Sequence, residues 1–324
     1  MTTVVYPSLR LSANGATALL DQYQRFQVYA LPTLNVRIDA PSAGQSTDVS
    51  AGEFDRVILS ASGTAIVAQT LDNKLVLLSA TDQPQYQLPI DPALLRAMAI
   101  ADAGDQLATL AIAPTANADQ PNGVLAIWSL SAGGGRIDQP IAMTQLPLLD
   151  RSILMANGAF NTFAIRSTAL IGRQQFMEVY RRELSNGALS SLWTEQGDVA
   201  SVAVMLYGDW VWAVQDHAMV GWHQHHPSAK LAATLREQLI YSPSGGHLLA
   251  YRGAETIDVT TQKMLFRLID LASCQEIRRT TQVIPHYNEA RFALTDHLSL
   301  LELRATRKGE LTVKELEWTM VATH

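Results

Sequence analysis

The chain has 324 residues, 48% of them hydrophobic and 17% charged, a balance that excludes an intrinsically disordered chain. It contains no apolar run of about 18 residues, so no membrane-spanning helix is expected. Its 24 Lys+Arg against 30 Asp+Glu give a net charge of −6, the wrong sign for holding a nucleic-acid backbone.

The chain opens with Met1-Thr2-Thr3-Val4-Val5-Tyr6-Pro7. This stretch lacks the basic start and apolar core of a signal peptide, and the expected compartment is the cytoplasm. From Leu9 onward, short β runs alternate with turn residues. The clearest unit is residues 57–90, with β runs at Val57–Ala61, Ala65–Thr70, Lys74–Ala80 and Gln85–Ile90. Ser62-Gly63, Asp72-Asn73 and Thr81–Pro84 join them, all turn-forming residues. An earlier unit starts at Leu9. A third runs from Met98 through Ala103-Gly104 to Ile127-Trp128-Ser129-Leu130. The fourth runs from Ile153 through Asn157-Gly158 to Ser185-Asn186-Gly187, and the fifth holds Tyr207-Gly208, Gln215-Asp216-His217 and Gly221-Trp222. The sixth holds Ser242–Gly245 and Leu268–Cys274, and the seventh Asn288, Thr295-Asp296-His297 and Leu300–Leu303.

The first-turn markers Gly15, Gly63, Gly104, Gly158, Gly208, Gly245 and Asn288 are spaced by 48, 41, 54, 50, 37 and 43 residues. Glycine and asparagine tolerate positive φ. A second marker, Asp followed by Asn or His at 72–73, 216–217 and 296–297, is expected between the second and third strands. Four short strands per unit at this spacing predict an all-β, seven-bladed β-propeller with four antiparallel strands per blade. One domain over 1–324 is expected, with blades at 8–56, 57–96, 97–151, 152–200, 201–237, 238–281 and 282–320. The last blade is expected to close with its own fourth strand, Glu310–Trp318, rather than with Val4–Tyr6.

Ile127-Trp128-Ser129-Leu130-Ser131-Ala132-Gly133 and Leu268-Ile269-Asp270-Leu271-Ala272-Ser273-Cys274 resemble the third-strand ending of WD40-like propellers. Glu183–Gly187 and Ala305–Gly309 are weaker copies, and the family's Gly-His pair at the blade start is missing. The family's His–Ser/Thr–Asp–Trp hydrogen-bond network is therefore not carried over. What the resemblance implies is a non-catalytic platform for protein–protein contact, or an accessory subunit of a multi-subunit assembly. The alternative is a propeller-type hydrolase or lactonase with a metal or ligand in the central channel.

Loops joining second to third strands, and one blade to the next, emerge on one face. The long connections Asp39–Asp55, Asp91–Ala97, Gln139–Ser152, Pro114–Gly123, Thr168–Gln175 and Gly253–Gln262 are expected there, with short turns on the opposite face. Residues 1–150 hold 7 Lys+Arg and 13 Asp+Glu, whereas residues 151–324 hold 17 of each. The acidic excess thus points to the loops of the first three blades. Asp48, Glu53, Asp55, Asp119 and Asp138 are the candidate partner-binding residues, suited to steering a basic partner protein. Arg181-Arg182, Arg278-Arg279 and Arg307-Lys308 are expected as solvated charges near turns of the other face.

Catalytic patterns are sparse. His217, His223, His225 and His226 are close in sequence; His223 and His225 share a strand face, but His217 is at the opposite end of that strand and His225 and His226 point apart, so an exposed polar turn rather than a metal site is expected. Cys274, the single cysteine, excludes an intrachain disulfide and stands where WD40-like turns place Gly. There is no Gly-x-Ser-x-Gly elbow, and Gly133-Gly134-Gly135-Arg136 lacks the Lys-Ser/Thr of a phosphate loop. The first strands are apolar at Ile58, Met98, Ile100, Met155, Val204 and Ile240, with no ring of carboxylates or His. The six tryptophans fall on strand segments and are expected mostly in blade packing. No catalytic residue, metal or cofactor is expected, and neither nucleic acid nor membrane insertion.

Overall fold

The computed structural model describes residues 8–12, 14–21, 25–41, 57–69, 75–79, 86–88, 90–91, 93–113, 122–130, 139–147, 151–157, 159–168, 175–183, 187–197, 204–207, 210–215, 218–223, 229–232, 238–244, 246–258, 260–285, 290–306 and 308–318. Among these residues all regular structure is β. The first sheet holds β1 (Ser8–Leu11), β2 (Thr17–Asp21), β3 (Arg25–Ala30) and β4 (Asn35–Pro41). The second holds β5 (Val57–Leu59), β6 (Ala65–Gln69), β7 (Leu75–Ser79) and β8 (Tyr86–Leu88). The third is β9 (Leu95–Ile100), β10 (Gln106–Ile112), β11 (Asn122–Ser129) and β12 (Ala142–Pro147). The fourth is β13 (Arg151–Ala156), β14 (Thr162–Thr168), β15 (Gln175–Arg182) and β16 (Leu189–Gly197). β17 (Val204–Tyr207), β18 (Trp210–Gln215), β19 (Ala218–His223) and β20 (Ala229–Ala232) form the fifth. β21 (Gln238–Tyr241), β22 (His247–Thr256), β23 (Thr261–Asp270) and β24 (Gln275–Pro285) form the sixth. The last sheet has three strands, β25 (Arg291–Leu294), β26 (Leu300–Ala305) and β27 (Leu311–Leu316).

Each sheet is an antiparallel meander too small to bury its own faces, so the sheets stack on one another. Leu19, Phe26 and Val28 of the first sheet pack on Val57, Leu59 and Ile66 of the second. Val67 and Leu75 meet Leu95 and Leu107 across the next junction. Leu110, Leu125 and Ile127 meet Leu154, Phe163 and Tyr180 between the third and fourth sheets. Tyr251, Phe266 and Phe292 join the sixth to the last, with ring centroids 4.8 to 5.9 Å apart. At the seam, Leu9 and Ala18 of the first sheet pack on Ala293, Leu301 and Leu303 of the last. The first strands adjoin in succession, with β1 against β25, and so line the axis. Burial on both faces explains why strands such as β2 are apolar throughout apart from their polar ends.

The turns between first and second strands share one hydrogen-bonded frame. The amides of Gly15, Gly63, Gly104, Phe160 and Leu298 donate to the carbonyls of Ser12, Ser60, Ala101, Asn157 and Thr295 at 2.9 to 3.0 Å. Each of these donors has positive φ, between 52° and 79°. The side chains of Ser12, Ser60, Asn157, Ser242 and Thr295 accept from amides at the head of the second strand at 3.0 to 3.3 Å.

This frame corrects several expectations. Thr295-Asp296-His297 lies in a first turn, between β25 and β26, and Asn288 precedes β25. In the fourth sheet the described positive-φ position of this turn is Phe160, and Gly158 lies outside the described residues. Phe160 is 3% exposed and packs edge-on to Phe163. The expected last strand, Glu310–Trp318, is the third strand of its sheet; among the described residues that sheet has no fourth, and Val4–Tyr6 lie outside them. The third and fourth sheets begin at Leu95 and Arg151, and β24 runs to Pro285 past the division at 281.

Candidate functional site

Second-to-third-strand connections and sheet-to-sheet connections leave from the rim where the first strands begin. We refer to it as the head rim; the opposite one is the turn rim. Asp48, Glu53, Asp55, Asp119 and Asp138 all lie outside the described residues. By chain order, Asp48, Glu53 and Asp55 fall between β4 and β5, and Asp119 between β10 and β11, both connections of the head rim. Asp138 falls between β11 and β12, a turn-rim connection, because Gln139–Ser152 contains strand β12 instead of being a loop.

Two further expected loop features are strands. Asp39 belongs to β4, where it forms an ion pair with Arg25 through both carboxylate oxygens. The Arg25 guanidinium holds the Asp39 carboxyl below its ordinary range. Gly253–Gln262 is a strand hairpin closed by a turn at 257–260. There Asp258 accepts from the amides of Thr260 and Thr261 at 2.6 and 2.8 Å and from both hydroxyls. These bonds draw its carboxyl down to about 2.

In two of the dibasic pairs one arginine makes a described structural contact. Arg182 reaches across to the third sheet, donating to Gln106 Oε1 at 2.7 Å. Arg279 pairs with Glu276 at 2.6 Å, and Glu276 also holds the buried Arg267 at 2.7 Å. Lys308 lies in the turn before β27, and Arg307 is outside the described residues. Arg278 lies on outer strand β24.

Cys274 occupies the expected glycine position, with φ 54°. Burial, then the nearby Asp270 carboxylate, push its thiol up. That favours the protonated, unreactive form. Trp128 Nε1 donates to Thr109 Oγ1 at 2.8 Å, tying β11 to β10. Trp212 is fully buried against Gly221, where an added Cβ would lie 2.6 Å from the indole ring. His217, His225 and His226 lie outside the described residues. Among the described residues no group of three or more His, Cys, Asp or Glu is placed to hold a metal ion.

The apolar residues of the first strands obscured a second pattern. At the head rim these strands carry Arg10, Arg96, Arg151 and Arg291, and no Asp, Glu or Lys. Arg10 Nη1 donates to Val57 O at 3.3 Å, Arg96 Nη1 to Leu95 O at 3.2 Å, and Arg291 Nη1 to Ala290 O at 3.2 Å. Searching each unit for a cation ahead of its first turn would have found them.

No family model matches the chain, and no curated protein matches it in sequence. Solved structures do match in shape. Two are of Hsv2 from Kluyveromyces lactis: one at 9% identity and TM-score 0.56, covering 98% of this chain and 99% of that one, and one at 10% and 0.57, covering 97% and 99%. A third, a eukaryotic initiation factor, has 11% identity and TM-score 0.52 over 95% of this chain and 78% of that one. At these identities the likeness is one of fold, and it makes the fold a β-propeller. Among the described residues, no helix is long and apolar enough to cross a membrane.

Proposed function

We propose that this chain is a closed, seven-bladed, WD40-like propeller that acts without catalysis of its own as a cytoplasmic protein-interaction platform. The observation that carries the reading is the packing of the first sheet on the last, which presents the rim connections around one continuous ring. Such rims suit recognition, because a packed scaffold positions loops that tolerate sequence change. The head rim is the docking face in this reading, since it bears the long connections 42–56 and 113–121 with Asp48, Glu53, Asp55 and Asp119. The propeller likeness to Hsv2 and the initiation factor supports a binding role at the level of fold alone.

Affinity purification of the tagged chain from its own cells tests this. A stoichiometric protein partner is expected, lost when Asp48, Glu53, Asp55 and Asp119 are changed to Ser and kept when Asp138 alone is changed. Recovery of no partner, with turnover of a small substrate by the purified chain, would replace the platform with the channel enzyme.

A further inference from the structure

We propose that the head-rim mouth of the axis binds an acidic segment of a partner protein through Arg10, Arg96 and Arg291; the proposal deepens the platform reading and rests on it. These half-buried arginines come from the first, third and last sheets, and each is tied to a main-chain carbonyl at or near a strand head. Arg10 and Arg291 stand two and four residues ahead of the capping residues Ser12 and Thr295, so strand alternation puts them on equivalent faces. Arg96 departs from that alternation. Ala97 pairs with Leu110 and Leu95 with Ala111, leaving Arg96 as the extra residue of a β-bulge. A bulge re-aims one side chain without dissolving the sheet.

By sequence, Arg151 opens β13, and Arg56 and Arg236 stand just ahead of β5 and β21. In a chain of net charge −6 the first strands themselves carry arginine and no carboxylate, whereas the flanking sequence adds Asp55, Asp150, Glu237 and Glu289. Carboxylates described at this rim include Asp21, across from Ser8 in the strand register, and Asp91, which caps the amide of Ala93 at 2.9 Å, with Asp39 on outer strand β4 paired to Arg25 and Asp258 held by Thr260 and Thr261. At the opposite end, a Cβ on Gly15 would lie 3.5 Å from both Ala293 and Ile240. Arginines drawn from several innermost strands around one axis focus the field on a ligand of the other sign. Guanidinium forks match carboxylates in a bidentate fashion. The extended, carboxylate-rich segment of a protein fits both features.

Fluorescence anisotropy with labelled polyglutamate and the full chain tests the site. Salt-sensitive binding is expected, weakened at least about tenfold in Arg10→Gln/Arg96→Gln/Arg291→Gln. Arg278→Gln on the outer strand should leave it unchanged. Melting curves establish that each variant folds. If the triple variant does not fold, Arg96→Gln carries the test, with a loss of about threefold or more. Absence of binding, or equal binding by the variants, overturns the proposal. Binding of tripolyphosphate without binding of polyglutamate also overturns it, giving the mouth to phosphate. A cellular partner retained by the triple variant would leave the platform standing and remove this site from it; loss of both partner and peptide binding in the wild type would end both.

Discussion

The positive-φ position of the first turn is filled in two opposite ways. At Gly63 and Gly104 the preceding sheet fills the space: an added Cβ would lie 3.0 Å from Thr17 Cγ2 and 2.8 Å from Ala65 Cβ, respectively. At Phe160 and Leu298 the side chain itself packs on the junction with the preceding sheet, and that burial outweighs the left-handed backbone. Gly104→Ala should therefore cost about 1–3 kcal/mol, combining steric overlap with strained φ. Phe160→Gly should relieve the backbone yet still cost about 2–4 kcal/mol through the cavity it leaves. Urea denaturation of both variants measures this; a stabilised Phe160→Gly would show that the junction collapses around the gap. Tyr251 shows burial acting on titration. Burial pushes its hydroxyl up to about 12, and the hydroxyl donates to Gln238 Oε1 at 2.6 Å. Because the folded value lies above the unfolded one, this contribution is full below about pH 10 and is lost as pH rises through about 12. Ultraviolet titration should lose one late-ionising tyrosine in Tyr251→Phe, while Tyr180, which burial and the Glu178 carboxylate also push up, still ionises late.

Strand sequence follows position within the sheet. Outer strand β24 alternates between exposed and less exposed residues along much of its length, leaving Ile277 and Val283 open to solvent. The second strands, enclosed on both faces, are apolar without alternation over much of their length. In the fifth sheet β18 and β19 fit as a pair, with Trp212 directly opposite Gly221 in the ladder. Glycine costs a strand conformational entropy, and here it makes room for a fully buried indole. Gly221→Ala should destabilise the chain by about 1–3 kcal/mol and shift tryptophan emission as the ring is displaced. Unchanged emission and stability would mean that the hairpin yields elsewhere.

Across the whole molecule, the seam between first and last sheets is the least local junction. Leu9→Ala removes a buried side chain there, 3% exposed, and should cost about 2–4 kcal/mol. Because β1 itself packs on β25 and β26, deletion of residues 1–7 should lower the melting temperature by less than about 2 °C, the scale of 1 kcal/mol for a chain this long. A larger drop in the deletion variant would place the closure in the N-terminal segment. Interlocking turns stiffen the ring: Thr17 Oγ1 donates to Ser60 O at 3.1 Å, and the Ser62 amide to Asp102 O at 2.8 Å. Both bonds cross between sheets, so the rims are carried on a frame that resists shear.

The sequence by itself determined the all-β class, the four-stranded units and the first turns at Gly15, Gly63 and Gly104, because turn residues and short apolar runs are local chemistry. It also located Cys274 in a turn with glycine-like backbone. It misassigned the turn at Thr295–His297, took β12 for a loop and gave Asp39 to an acidic surface. Tertiary structure decided those points. A turn's order in its sheet depends on which strand reaches the axis, and an aspartate's role depends on the arginine across the ladder. The arginines at the strand heads are far apart in sequence, and only ring packing brings those heads around one axis.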